Sequence, residues 1–139
     1  MPENKNAELV RRAFDALNAG DLAAIRQYWH EDIVFTIPGS APAAGLPNIV
    51  IRGLPALLQT FENVGQFTQG SFRFSIQSVL ADANQVAVLS HNTARHEAKT
   101  LDLMMVLLLR IEDNKVVEGT EFPQQARDWL RFWTEGATA

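Results

Sequence analysis

The sequence contains no cysteine, which excludes disulfide bonds, thiolate nucleophiles and zinc sites with cysteine ligands. Histidine is also scarce, and no two of the three histidines have the spacing of a metal-binding pair, so we expect no bound metal. The chain has neither a glycine-rich phosphate-binding loop nor a serine in a nucleophile elbow. We therefore expect no cofactor, and any catalysis has to use the acid and base groups of the chain itself.

Basic residues are too few for a nucleic-acid-binding protein. The chain has 12 Lys and Arg against 16 Asp and Glu, a net charge of −4. Proteins that bind nucleic acid carry an excess of basic residues to neutralise phosphates, so that partner is not expected. The first residues, "MPENKNAELVRR", lack the apolar core of a signal peptide, and we expect a cytoplasmic protein. The longest apolar run, Leu103 to Leu109, is too short to cross a membrane as a helix, so no membrane association is expected.

The 139 residues predict one domain, 1–139, with its helices concentrated in the first half. Asn6 and Asp21 can cap two helices, and Gly20 ends the first of them. After a strand around residues 33–37, the segment 40–52 reads as a long apolar loop, of the kind that often forms a pocket wall. A third helix follows Gly53, with an apolar stripe at helical spacing. This stripe contains Leu54, Leu57, Leu58, Phe61 and Val64.

Residues 70–122 predict an antiparallel meander. Apolar residues alternate with polar ones in four runs, separated by turns at 82–84, 96–98 and 113–114. From Pro123, a short helix is predicted with Ala126, Trp129, Leu130 and Trp133 at helical spacing. Helices followed by a meander predict the α+β class, with the helices packed on one face of a curved antiparallel sheet.

The tripeptide "HED", His30 to Asp32, places three polar side chains just before the first strand. Side chains of neighbouring residues in a strand point to opposite faces, so these three cannot easily converge on one substrate. Charged residues at a junction between a helix and a strand are normally solvated. We therefore interpret the cluster as a solvated joint.

Three segments, "ALNAGDLAAIRQYWHEDIVFTIPG", "IRGLPALLQTF" and "DNKVVEGTEF", resemble the nuclear transport factor 2-like superfamily. The resemblance is to its SnoaL-like branch, which includes polyketide cyclases and has ketosteroid isomerases as relatives. It implies a cystatin-like cone, in which a strongly bent antiparallel sheet wraps three helices around a deep apolar pocket. It does not imply one reaction, because this fold hosts enzymes of several classes and non-catalytic binding proteins.

The resemblance also argues against the mechanism of the ketosteroid isomerases. Ketosteroid isomerases use a carboxylate base at the end of the first strand and two hydrogen-bond donors for an oxyanion. By alignment, the position of the base is Ile37, and the positions of the donors are Ala13 and Leu107. None of these residues can perform the corresponding step.

Glu121 is the remaining candidate for acid/base catalysis, because SnoaL-like cyclases resemble "VEGTEF" and place an acidic residue at this position. Gly119, two residues earlier on the same face, is expected to leave room beside it. A glutamate in solvent at the end of a strand is the alternative. Alignment with the family implies that Asn92 points into the pocket. Alternatively, the polar residues Ser90 to Thr93 lie on an exposed or subunit-facing side of the sheet. The expected substrate-binding residues are Trp29, Phe35, Ile37, Asn92, Met105 and Leu107.

These observations predict an enzyme of cyclase, isomerase or lyase type that acts on a polycyclic or polyketide-like molecule, with Glu121 as acid and base. Two alternatives are a binding protein with the same pocket and a dimeric interaction module whose pocket has lost its use. Residues Leu103 to Leu109 are apolar on both faces of their strand. One face of an antiparallel sheet is usually polar, so the outer face is predicted to join two subunits in a homodimer.

Overall fold

The computed structural model describes residues 4–134, which begin with two helices, α1 (Lys5–Ala19) and α2 (Leu22–Tyr28). The cap of α1 is Asn4, whose side chain accepts a hydrogen bond from the backbone N–H of Asn6 at 2.8 Å. The prediction that Asn6 is the cap was wrong, because Asn4 supplies an equivalent oxygen acceptor two residues earlier. Asp21 caps α2 as predicted, accepting from the N–H of Ala24. Gly20 ends α1 with a φ of 67°, a left-handed conformation that favours glycine.

Strand β1 (Trp29–Thr36) follows α2 without a loop. The tripeptide "HED" therefore lies inside β1 and not before it. The register of β1 shifts between Trp29 and Val34, so this part of the strand is irregular. The N–H of Asp32 donates to Nδ1 of His30 at 2.9 Å, and Glu31 and Asp32 are exposed.

The segment 40–52, predicted as a loop, contains one turn of 3₁₀ helix (Pro42–Ala44) and a short strand, β2 (Val50–Arg52). β2 pairs with β1 and forms one edge of the sheet. Helix α3 (Leu54–Phe67) follows Gly53, which occupies its N-cap position, and Pro55 lies in its first turn as predicted.

The remaining strands form the meander that the alternation predicted. They are β3 (Arg73–Asp82), β4 (Gln85–His96), β5 (Lys99–Glu112) and β6 (Lys115–Pro123). Pro123 ends β6, and the last helix, α4 (Ala126–Thr134), begins three residues later. The turn between β5 and β6 has positive φ at both Asp113 and Asn114, which is typical of a type I′ hairpin.

The six strands form one curved, unclosed sheet in the order β2-β1-β6-β5-β4-β3. β1 and β6 are parallel, with Phe35 beside Gly119, so the sheet is mixed and not antiparallel throughout. The α+β class and the cystatin-like architecture are confirmed, and the four helices correspond to the three predicted in the first half of the chain and the short one predicted near its end.

The core lies between the helices and one face of the sheet. Along β5, Leu101, Leu103, Met105, Leu107 and Leu109 are each at most 4 % exposed, whereas the intervening residues face outwards. None of the helices within residues 4–134 is long and apolar enough to cross a membrane.

Candidate functional site

A small internal cavity lies where α3 and α4 cover the sheet. Its volume is about 40 Å³, and its wall is almost entirely aliphatic and aromatic. Contributions come from β1 and the residue after it, the segment 40–52, α3, β3 and the residue before it, β6 and α4. The lining residues are Phe35, Ile37, Leu46, Ile51, Leu57, Thr60, Phe61, Val64, Phe72, Phe74, Glu121, Trp129 and Trp133.

Among residues 4–134, Glu121 is the one ionisable residue in this wall. It lies near the end of β6, opposite Leu107 of β5, and it shares the inner face of β6 with the buried Gly119. Its carboxyl group has no hydrogen bond and no ion pair with any residue in 4–134. Glu121 is half-buried as a whole residue, and the apolar groups around its carboxyl group disfavour the charged form and raise the pKa of Glu121 from 4.5 to about 8. The carboxyl group is therefore mainly protonated at neutral pH.

The space beside Gly119 is not free, contrary to the expectation from the sequence. The two residues are neighbours in the parallel pair of β1 and β6, and the ring of Phe35 lies against Gly119. The absence of a side chain at Gly119 thus makes room for Phe35. Phe35 in turn forms part of the cavity wall near Glu121.

Trp133 brings a second polar group without a partner to the cavity wall. Its side chain is 3 % exposed, and its indole Nε1–H makes no hydrogen bond to the described part of the chain. Trp133 packs against Trp129, Phe132, Phe67 and Phe72 in an aromatic cluster. An indole N–H normally finds an acceptor when it is buried, so an oxygen atom brought close to it would satisfy a donor that the protein leaves unpaired.

The structure brings three of the predicted site residues together: Phe35, Ile37 and Glu121 all line the cavity. Leu46 and Ile51 show that the segment 40–52 does form part of a pocket wall.

The other four predicted residues do not line this cavity. Trp29 is 1 % exposed, and its Nε1–H donates to the carbonyl of Ala13 at 3.0 Å. Met105 and Leu107 belong to the packed core under β5. Asn92 faces inwards, as predicted, but there it accepts a hydrogen bond from the hydroxyl of Ser90 at 2.7 Å. All four face the interior of the protein, yet they are buried outside the cavity wall.

The sequence did not identify the helical side of the cavity. Phe61 and Val64 belong to the predicted stripe of α3, and Trp129 and Trp133 to the predicted stripe of α4. The periodicity showed that these residues are buried. It contained no signal that they meet across a cavity from Glu121.

Neither the isomerase residues nor a metal cluster occurs at the site. Ile37 lines the cavity where the isomerases have their base, and Ala13 and Leu107 are fully buried apolar residues. Within residues 4–134, no group of three or more His, Asp or Glu side chains could hold a metal ion.

The fold is that of an α+β family, and comparison with known proteins identifies it. Residues 10–119 match the SnoaL-like domain, and the chain belongs to this family. Glu121 and α4 lie beyond the matched segment. The family match therefore supports the fold of residues 10–119. It gives no information on the end of the cavity formed by Glu121 and α4.

Three relatives illustrate the similarity. An uncharacterized protein of Mycobacterium tuberculosis is 25% identical over 134 residues, which cover 96% of this chain and 99% of the relative. Bal32a, from a soil-derived mobile gene cassette, superposes with a TM-score of 0.84 at 27% identity, covering 92% of this chain and 95% of its own. IdmH of Streptomyces antibioticus, a proposed polyketide cyclase, superposes with a TM-score of 0.73 at 19% identity, covering 87% and 93%. The similarity to IdmH concerns the fold alone.

Proposed function

We propose that this SnoaL-like protein binds a small, mainly apolar molecule in the Glu121 cavity and that Glu121 transfers a proton to and from it. The observation that carries the proposal is the unpaired carboxyl group of Glu121 in an apolar wall, with a pKa of about 8. Such an acid exchanges protons near neutral pH, as a general acid/base catalyst must. The reaction would need no cofactor.

The direction of the first proton transfer follows from the protonation state. At neutral pH the carboxyl group holds its proton and can donate it to a carbonyl oxygen of the ligand. The carboxylate left behind is poorly solvated, so it readily takes up a proton from a carbon atom next to that carbonyl. The two steps together convert a ketone into its enol and return Glu121 to its starting state. Enolisation of this kind precedes ring closure by carbon–carbon bond formation, and the proposed activity of IdmH as a polyketide cyclase fits the same class of substrate.

A polycyclic ketone with exchangeable hydrogens provides a direct test. We expect the protein to accelerate exchange of the α-hydrogens of 2-tetralone for deuterium in D₂O, followed by NMR. Glu121→Gln keeps the size of the side chain and removes the proton, so the rate should fall by about 100-fold or more. Glu118→Gln is the matched control, because Glu118 lies on the outer side of the same strand and pairs with Arg110. Equal rates for Glu121→Gln and the wild type would contradict the proposal.

A non-catalytic binding protein is the second candidate, and it is favoured by the fact that Glu121 has no other ionisable group beside it in the cavity wall. This candidate predicts that 2-tetralone binds without faster exchange. It also predicts that Glu121→Gln changes the affinity little. Exchange rate and affinity, measured on the same two variants, separate the candidates.

We also propose that two copies of the chain associate through the outer face of the sheet. Leu89, Val106 and Phe122 are 38 %, 40 % and 52 % exposed and lie side by side across β4, β5 and β6. Leu108 and Leu80 extend this patch, at 41 % and 71 % exposure. A contiguous apolar patch on a sheet is typical of a subunit interface, and a second copy would cover it with an identical surface around a two-fold axis.

A further inference from the structure

Phe61 of α3 borders three separate spaces. One is the Glu121 cavity, and the second is a surface groove of about 490 Å³ between α2 and α3. The third is a hollow of about 140 Å³ next to Gly65, on the other side of Phe61. Within residues 4–134, Phe61 is the side chain that these three spaces have in common. A connection between the groove and the Glu121 cavity would pass Phe61, the described residue that lines both.

The size of the cavity shows why such a connection is needed. At about 40 Å³ it has room for little more than bound water. Sites for small organic molecules usually measure about 300–1,000 Å³. The groove has that size, but it contains no group with the properties of Glu121. Neither space alone is a complete site, whereas the two joined would be.

The surroundings of Phe61 leave its ring room to move. The side chain is only half-buried, and its contact with Phe74 is an edge-on one with the ring centroids 6.4 Å apart. Gly65 lies one helical turn further along α3, and a Cβ built on it would meet nothing within 4 Å. Residues four apart on a helix share a face, so the ring can turn towards the open space beside Gly65.

We infer that the groove between α2 and α3 is the outer half of a single ligand site, and that the ring of Phe61 separates it from the inner half at Glu121. This inference rests on the function proposed above. The ring turns towards Gly65 when a ligand enters from the groove. The ligand then extends past Phe61 until one end reaches Glu121.

The lining of the groove defines the class of ligand. Leu17, Leu54 and Leu58 give the groove an apolar surface. Its polar lining consists of Arg26, Gln59 and the two carboxylates Glu31 and Glu62, so it offers donors and acceptors but has no excess of positive charge. The ligand is therefore an elongated molecule with an apolar body, a carbonyl group at its inner end and uncharged polar groups, such as hydroxyls or amides, at its outer end.

Removal of the Phe61 ring tests this arrangement. Phe61→Ala should let water reach Glu121 and lower its pKa by about one unit or more, as seen by ¹³C NMR titration of the carboxyl group. The association rate of prodan, a fluorescent naphthalene ketone, should rise about tenfold. Tyr28→Ala is the matched control, because it removes a ring from a half-buried position on the neighbouring helix α2 that borders none of the three spaces. It should change neither quantity.

A second variant probes the groove itself. Leu58→Trp fills the groove without touching the Glu121 cavity, whose wall does not include Leu58. We expect prodan to bind about tenfold more weakly, with the pKa of Glu121 unchanged. If Phe61→Ala does not fold by circular dichroism, Phe61→Leu replaces it, because leucine keeps the apolar contact and lacks the ring.

The outcomes separate this inference from the proposed function. If Glu121 titrates near 4.5 in the wild type, the proposed function fails. If it titrates near 8 and neither Phe61 variant changes its pKa or the rate of prodan binding, only the separating role of Phe61 is refuted. Unchanged prodan affinity in Leu58→Trp would refute the groove as the outer half of the site.

Discussion

Gly119 and Phe35 are in such close contact that a Cβ built on Gly119 would lie 2.7 Å from Cδ2 and Cε2 of the Phe35 ring. Leu109 would be the next neighbour, with its Cδ2 at 3.0 Å. Phe35 is 3 % exposed, so its ring has no solvent to move into. The pair fixes the position of one wall of the Glu121 cavity.

We predict that Gly119→Ala destabilises the protein by about 1–3 kcal/mol, because a methyl group there has to displace a buried ring. Urea denaturation followed by fluorescence measures the change. Gly65→Ala is the control, since the site is open and lies in a helix, where alanine is favoured over glycine by up to about 1 kcal/mol. The two substitutions should therefore shift stability in opposite directions. A Gly119→Ala protein as stable as the wild type would contradict the close packing of Phe35.

Glu121 should make the stability of the protein depend on pH. Its carboxyl group ionises near pH 4.5 in the unfolded chain but near pH 8 in the folded one. Between these values the unfolded chain has lost a proton that the folded protein keeps, so stability falls as the pH rises through this window. Glu121→Gln removes the effect. The substitution changes the free energy of unfolding, and we expect this change to be about 3 kcal/mol more favourable at pH 7 than at pH 4. Urea denaturation of both proteins at both pH values measures it.

The comparison of two pH values separates ionisation from packing. Any packing cost of the amide introduced by Glu121→Gln is the same at both, so only their difference reports on the carboxyl group. The same effect of Glu121→Gln at pH 4 and pH 7 would mean that Glu121 is not shielded from water.

Val106 lies in the middle of the exposed apolar patch and is predicted to be covered in a dimer. The wild type should sediment at twice the 15.5 kDa of one chain at micromolar concentration. Val106→Lys would bury a charge at the interface and should give a monomer. Ile49→Lys is the control, since Ile49 is 47 % exposed and lies just before β2, away from the patch. A wild type that sediments as a monomer would exclude this interface.

The lining of the cavity predicts which molecules stabilise the protein. Polycyclic aromatic ketones should raise the melting temperature in a thermal-shift assay, because the wall is aliphatic and aromatic. Nucleotides and sugars should leave it unchanged, since no phosphate-binding loop is present in the sequence. Stabilisation by nucleotides but not by polycyclic ketones would contradict the assignment of an apolar ligand.

The sequence was most informative where a periodic pattern is long. The alternation in β4 and β5 correctly divided the side chains between two faces, and the family resemblance placed Asn92 and Leu107 on the inner one. Alternation could not predict which positions along a strand line the cavity, because it marks every inward-facing residue in the same way. Trp29 and Asn92 were therefore expected at the site, although they face a packed region. Glu121 was identified because a family resemblance supplied a position along β6, which periodicity cannot provide.

Short and irregular elements were not predictable in the same way. β2 has three residues, too few for an alternation to be recognised. Trp29 continues the apolar spacing of α2, yet it belongs to β1, because pairing with β6 overrides the local preference. The parallel pairing of β1 with β6 is a contact between distant parts of the chain, on which local periodicity gives no information.

That parallel pair has a consequence for how the chain reaches its folded state. Val34 pairs with Arg52 on one side and with Glu118 on the other. The second edge of β1 is therefore covered only after most of the chain has been synthesised. Closing so long a loop is slow compared with forming hairpins such as β3–β4 and β4–β5. During synthesis on the ribosome, β1 and β2 would emerge early as a two-stranded ribbon with one open edge. The six-stranded sheet is complete only when β6 lies between β1 and β5. The same step brings Glu121 to the cavity, so the site is assembled late in folding.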